Sequence, residues 1–470
     1  MVVTQPVLPM EGSLPPDLQG TLFRAGPGRS RDGRARVSAE TEGGSETGFE
    51  DEPAAALGPW GALHAVELRD GAAVWYLSRE SEADAGVFWH AGSLLALPEA
   101  GFPLQYTRFL EPQQFGGGLK VPVASHTHRL ASDGSRVLFS VEDRSAGSGS
   151  ATSNGDLDDG DDGMDQGFWL LIGEWDAVGA LRTAQAVELE RATWQHDIAV
   201  TEGHLVFIES PTTQLSDPSN AAVPFGWVPG EEGWLGVAVR GGEGDVRWFR
   251  YDPALVTHVL GAWEEDGGPA SDPDIILYVC TYEAPEPGQP VDLSASVVGP
   301  EGIGMTPIGG SLAVLERWRL GADRLERTQV EERHVEYPRM DAQCEGGRFR
   351  YGYCVETAWS ASAPVSSGAG AGVAHPGLLQ FDLQRGDIAS WSPGPGLTPS
   401  EPLFVRAHDG HGDNEGWLLT FVDDSDRGAS DLYVLDASAL GRRRPEAIIH
   451  LPERLPFRSH GEWVPADRYR

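Results

Sequence analysis

Apolar side chains recur at alternate positions in short runs along this chain, and the runs come in pairs. Ile198 and Val200 alternate with small or polar neighbours, Leu205 and Phe207 repeat the pattern, and Glu202-Gly203 lies between them. A period of two marks a strand with one buried face, and a Gly-containing dipeptide between two such runs marks a hairpin. The same unit recurs from end to end. Ala65 to Leu68 turns at Asp70-Gly71 into Ala73 to Leu77, and Leu130 turns at Asp133-Gly134 into Val137 to Val141. Trp169 to Ile172 is followed by Ala184 to Leu189, and Trp234 to Val239 turns at Gly241-Gly242 into Val246 to Tyr251. Leu312 to Leu320 is answered by Leu325 to Val330, Leu378 to Phe381 by Ile388 to Trp391, and Trp417 to Val422 by Asp431 to Leu435. Helical periodicity is confined to one short candidate, Ala437 to Arg443. With no alternation of strand and helix, the pattern predicts an all-β chain of antiparallel hairpins.

So long a series of hairpins must protect its sheet edges, and closure into a β-propeller does so. At ~40–50 residues per blade the 470 residues allow about six to eight blades. Two tandem β-sandwiches are the alternative. The nearest thing to a linker between them is Ala361 to Gly372, and strands of the same pattern resume directly beyond it. A single propeller domain over residues 1–470 is therefore expected.

Composition supports this and removes some functions. Sixty Gly, 34 Pro and 15 Trp suit many short strands and tight turns. A formal net charge of −36 argues against nucleic acid as a partner and against electrostatic docking on an anionic membrane. Much of the acidity lies in two tracts, near residues 29–57 and 143–166, which read as solvated, mobile insertions. The second contains Asp-Leu-Asp-Asp-Gly-Asp-Asp-Gly but no bidentate Glu at the closing position of a calcium loop. Cys280, Cys344 and Cys354 are an odd number in a long chain, which predicts free thiols and a reducing, cytoplasmic compartment. The N-terminus has no basic start and no apolar run, so no signal peptide is predicted, and no apolar stretch is long enough to span a bilayer.

Thirteen histidines are scattered without zinc-finger or zincin spacing. A metal site inside a propeller needs no such spacing, because each blade can send one side chain toward the axis. Several motifs, in order, resemble those of the carotenoid cleavage oxygenase family, and the resemblance covers nearly the whole chain. Gly12-Ser-Leu-Pro-Pro-Asp-Leu-Gln-Gly-Thr-Leu-Phe-Arg-Ala-Gly-Pro-Gly28 is similar to its N-terminal signature. Ser125-His126-Thr127-His128, Trp194 to Pro211 with His196, Thr257-His258 through Asp266, and Leu455 to Gly461 with His460 resemble its four histidine motifs. Leu94 through Glu99, Val335-Glu336-Tyr-Pro338 and Glu401-Pro-Leu-Phe-Val405 resemble its carboxylate motifs.

The resemblance implies a seven-bladed propeller, with loops forming a cap over the metal centre. It implies one non-haem Fe(II) held by His126, His196, His258 and His460. It also implies that Glu99 orients His196, Glu336 orients His258 and Glu401 orients His460. Neutral imidazoles suit Fe(II), and four of them leave coordination positions for O2. A carboxylate behind a ligating imidazole fixes the ring and raises its basicity, and three of them would help balance the metal's charge. His128, two residues from His126, is read as a neighbour, and His408-Asp-Gly-His411 as a turn. The remaining histidines default to structural roles.

Three departures from the family pattern stand out: an acidic insertion around Glu40 to Glu52 leaves only Gly58-Pro-Trp-Gly-Ala-Leu-His64 of a Gly/Asp-rich turn, Asp84-Ala85-Gly86 replaces an Asn-Thr-Asn run, and Gly261 replaces an Asn. The first two bear on the pocket near the metal and so on substrate identity. The function implied is O2-dependent cleavage of a conjugated double bond in a carotenoid or apocarotenoid, a lipophilic polyene, to two carbonyl products. Phe225 and Trp227 are candidates either for the substrate tunnel or for packing on a blade. Collecting such a substrate predicts peripheral membrane association through exposed apolar side chains. The alternatives are cleavage of a stilbene-type phenylpropanoid and, from another class, a propeller that binds a ligand without turnover.

Overall fold

The structure is a computed structural model describing residues 2–27, 61–83, 85–98, 100–114, 123–124, 126–143, 167–214, 225–242, 245–266, 272–284, 296–299, 302–305, 311–322, 324–360, 372–455 and 460–469. The acidic tracts expected at 29–57 and 143–166 fall outside these residues, apart from Asp143, and so does the calcium-like run.

Hydrogen bonding follows the predicted hairpins. The strand Gly61–Arg69 pairs antiparallel with Ala72–Ser81, Ile198–Val200 with His204–Glu209, and Gly416–Asp424 with Ala429–Asp436. Successive antiparallel meanders make a β-propeller. One sheet of nine strands carries two such meanders, joined through the long strand Leu325–Met340. The short helical candidate at Ala437 to Arg443 forms only a single 3-10 turn, Ala437–Ala439. Asp436 caps it by accepting from Ser438 N, and the Gly441-Arg-Arg-Arg-Pro445 that follows ends the turn instead of extending it.

Closure of the ring uses both chain ends. The C-terminal strand Gly461–Pro465 pairs with Gly20–Pro27 in the first sheet. Reciprocally, the N-terminal strand Met10–Gly12 pairs with Ala447–His450 in a sheet otherwise built from C-terminal strands. Two glycines allow the seams to close. A Cβ on Gly20 would lie 2.4 Å from the Val464 carbonyl oxygen. Gly12 has φ +75°, and a Cβ there would lie 2.2 Å from the Glu446 oxygen. Apolar clusters between neighbouring sheets form the core, and one of them gathers Trp194, Leu255, Tyr282, Val335 and Phe349 beneath the site described next.

Candidate metal centre

All four imidazoles predicted from the sequence converge, and each comes from an interruption of regular strand. His126 lies between the strands Val123–Ala124 and His128–Arg129, His196 just before Ile198–Val200, and His460 just before Gly461–Pro465. His258 is inside the strand Ala254–Glu265, where the pairing register slips on both sides of Val259. Such a bulge re-aims a side chain that a regular ladder would point elsewhere. The close packing behind it explains Gly261, since a Cβ there would lie 2.7 Å from the Phe349 ring and 2.9 Å from the Met340 side chain.

His126 Nε2 and His196 Nε2 are 3.1 Å apart, and His196 Nε2 and His258 Nε2 are 3.3 Å apart. Ligand atoms of His126, His258 and His460 all lie within 4.8 Å of one another. Two nitrogens each about 2.1 Å from one metal ion, at right angles, would be about 3 Å apart. The spacing therefore fits a single transition-metal ion.

Hydrogen bonding behind the rings also fits. His258 Nδ1 donates to Glu336 Oε2 over 2.6 Å, and His460 Nδ1 donates to Glu401 Oε1 over 2.7 Å. With Nδ1–H committed to a carboxylate, the Nε2 lone pair of each neutral ring faces the common point. Burial and the surrounding rings hold His126 well below its usual range. Burial likewise lowers His460, despite Glu401, whereas for His258 the attraction of Glu336 overcomes burial and the net shift is upward. Imidazole nitrogens gathered at these distances form a donor set that suits a bound metal.

The carboxylates are themselves held. Glu336 Oε1 accepts from Thr257 Oγ1 at 2.6 Å and from Tyr282 Oη at 2.7 Å, and Oε2 accepts from Tyr337 N at 2.9 Å. Burial pushes its carboxyl up, but His258 and these donors more than offset that and bring it down to about 2. Tyr337 has φ +53°, at the point where Leu325–Met340 changes register, and this bulge delivers Glu336 to His258. Glu401 accepts from Gly461 N at 2.9 Å and from Arg339 Nε at 2.7 Å. The simple balance of three carboxylates against the metal is thereby revised, because Arg339 already compensates Glu401.

Glu99, expected to orient His196, lies outside the described residues. His196 stacks on Trp194 with ring centroids 4.5 Å apart and planes 25° from parallel. Phe225 and Trp227 form the strand Phe225–Trp227 and pack against the apolar cluster that contains Trp194. His128 points away from the four rings, its two nitrogens on Glu345 and Asp197. His408 and His411 are exposed in a turn held by Asp409 and Glu415. Arg339, Tyr282 and Glu345 escaped the sequence reading altogether. Asp197 and Thr257 carried a signal, each being next in sequence to a predicted ligand.

At 28% identity the chain matches an isoeugenol monooxygenase of Pseudomonas putida, over 81% of this chain and 74% of that protein. A carotenoid cleavage oxygenase of Mycobacterium tuberculosis is 26% identical, over 98% of this chain and 95% of its own length. Among solved structures, the lignostilbene dioxygenase of Pseudomonas brassicacearum superposes with a TM-score of 0.76 at 20% identity, over 99% of this chain and 96% of that one, and so has the same fold. Residues 2–465 match the family described as Retinal pigment epithelial membrane protein. The chain belongs to that family, the carotenoid cleavage oxygenases.

Proposed function

We propose that this protein is a non-haem Fe(II) dioxygenase that cleaves a conjugated C=C bond of a carotenoid or apocarotenoid, with His126, His196, His258 and His460 holding the iron. The observation that carries the reading is the cluster of four imidazoles, with ligand atoms of His126, His258 and His460 within 4.8 Å of one another, His196 Nε2 3.1 Å from that of His126 and 3.3 Å from that of His258, and Glu336 and Glu401 on the Nδ1 atoms of two of them. All-nitrogen ligation by neutral imidazoles suits Fe(II) and leaves coordination positions open. Ferrous iron supplies the means of activating O2. The protein's own contribution is geometric: it fixes four rings, supports them with buried carboxylates, and surrounds them with aromatic side chains. Trp194 stacks on His196, and the Tyr337 ring lies 5.5 Å from His258 and 5.8 Å from His460. The bond change needs no acid, base or nucleophile from the chain: one C=C is broken, one O2 is consumed, and two C=O groups form.

A second reading, cleavage of a phenylpropanoid side chain, is favoured by the 28% identity to the isoeugenol monooxygenase. Both are tested by incubating the iron-loaded protein with apocarotenals, a hydroxystilbene and isoeugenol under 18O2 and identifying products by mass spectrometry. Shorter carbonyl fragments labelled with 18O from an apocarotenal are the expected result. Turnover of isoeugenol or the stilbene alone would replace the first reading with the second. Neither iron binding nor O2 uptake with any substrate would leave a ligand-binding propeller.

A lipophilic substrate also supports peripheral contact with a membrane. Among the described residues no helix is long and apolar enough to cross one. Phe102, Phe109, Trp248 and Trp359 are exposed apolar side chains available for contact. Association with neutral phosphatidylcholine vesicles that persists in high salt is the expected outcome of a flotation assay, and release by salt would count against it.

A further inference from the structure

Asp197 sits where three of the ligand-bearing segments meet. It is 6% exposed, and its carboxylate accepts hydrogen bonds from all three segments. Oδ1 accepts from the backbone N–H of Ile198 at 2.9 Å, in the segment that carries His196. Oδ2 accepts from Val259 N at 2.8 Å, the residue after His258. Oδ1 also accepts from His128 Nε2 at 2.8 Å, two residues beyond His126, and Oδ2 lies 3.9 Å from His126 Nδ1. These segments belong to three different sheets, so no backbone ladder fixes them relative to one another.

The contact to His128 is not a simple strand cap. His128 Nδ1 is 2.6 Å from Glu345 Oε1, so both ring nitrogens face carboxyl oxygens and the ring bridges two acidic side chains. Glu345 is tied to the same segment a second time, its carbonyl oxygen accepting from Ala131 N at 3.1 Å. A network of charge-assisted hydrogen bonds in a buried site resists displacement of any one member.

We propose that Asp197, backed by His128 and Glu345, is a positioning unit that sets the mutual placement of the His126, His196 and His258 imidazoles, and so the geometry and affinity of the metal site. The inference rests on the metal-centre reading above. Asp197 does for three segments at once what Glu336 and Glu401 each do for one ring. It acts through backbone and through His128, without an Nδ1 hydrogen bond to any of the four rings.

The test is titration of metal-free wild type, Asp197→Asn and Glu345→Gln with Co(II), following the d–d absorption bands, with thermal unfolding of the metal-free proteins recorded alongside. Asp197→Asn keeps the side-chain volume but removes the charge opposite His128. Loss of an orienting partner costs roughly 10–100-fold in metal affinity, and a loss in that range with altered Co(II) bands is expected. Glu345→Gln, at the outer end of the network, should act in the same direction by a smaller factor. Bands and affinity unchanged in both variants would overturn the proposal, as would lower affinity with unchanged bands fully matched by a fall in Tm. Should Asp197→Asn fail to fold, Glu345→Gln decides by the same criteria. If wild type itself binds no Co(II), the metal-centre reading fails, a result distinct from a wild type that binds and variants that do not differ from it.

Discussion

His258→Ala is expected to leave the protein without stoichiometric metal and without measurable oxygenase activity. His258 Nε2 is 3.3 Å from His196 Nε2, and its own ligand atom is within 4.8 Å of those of His126 and His460, so its removal opens the middle of the donor set. Losing a residue that merely orients a ligand costs roughly 10–100-fold, and losing the ligand itself should exceed that range. The stability effect should be smaller than the effect on metal. A hydrogen bond to a charged group is worth about 1.5–3 kcal/mol, and Glu336 keeps Thr257, Tyr282 and Tyr337 N as donors, which places the loss at or below the low end. His258→Gln separates the two effects, since an amide can still donate to Glu336 yet is a poor ligand. The check is metal content per chain, with product formation measured on the same samples. Full metal content and activity in His258→Ala would remove the site as described.

The second large effect concerns the seam. A chain ending after His460 is expected not to fold cooperatively. Deleting residues 461–470 removes the strand whose Val464 and Trp463 face Thr21 and Leu22, leaving Gly20–Pro27 as a raw edge. It also removes Gly461 N as a donor to Glu401, and the Tyr469 ring that meets Trp89 edge-on at 5.0 Å. Five residue pairings at roughly 1 kcal/mol per hydrogen bond, and one fully buried Val at ~1.5–3 kcal/mol, are comparable with the ~5–15 kcal/mol stability of a whole domain. Gly20→Ala is the milder form of the experiment. It places a methyl group against the Val464 carbonyl and should lower Tm without abolishing folding. A truncated chain melting in one sharp transition near the wild-type temperature would show that the N-terminal strand alone closes the ring.

The hairpins were legible because a strand half-buried in a stack of sheets repeats with period two, as Leu205 and Phe207 do against Ile198 and Val200. The short helical candidate at Ala437 to Arg443 was less legible, since a brief run with alanines carries too little periodic signal to separate a helix from one 3-10 turn. The four histidines, Glu336 and Glu401 were singled out through the resemblance of their motifs, which are local; Glu99, singled out in the same way, lies outside the described residues. Arg339, Tyr282 and Glu345 left no local trace. Each acts on a residue from a separate sequence motif, as Arg339 does on Glu401 and Tyr282 on Glu336.

By itself, then, the sequence determined the all-β hairpin pattern, the strongly acidic balance of charge, and which side chains were candidates to hold a metal. Tertiary structure decided which of them meet, through bulges at His258 and Glu336 and through a seam that brings His460 back to the first sheet. It also decided that Asp197, which reads along the chain as the neighbour of a ligand, joins three ligand segments. The physical reason is that alternation and turn chemistry act between residues a few positions apart. The centre is built from contacts spanning tens to hundreds of positions, and these exist only once the ring has closed.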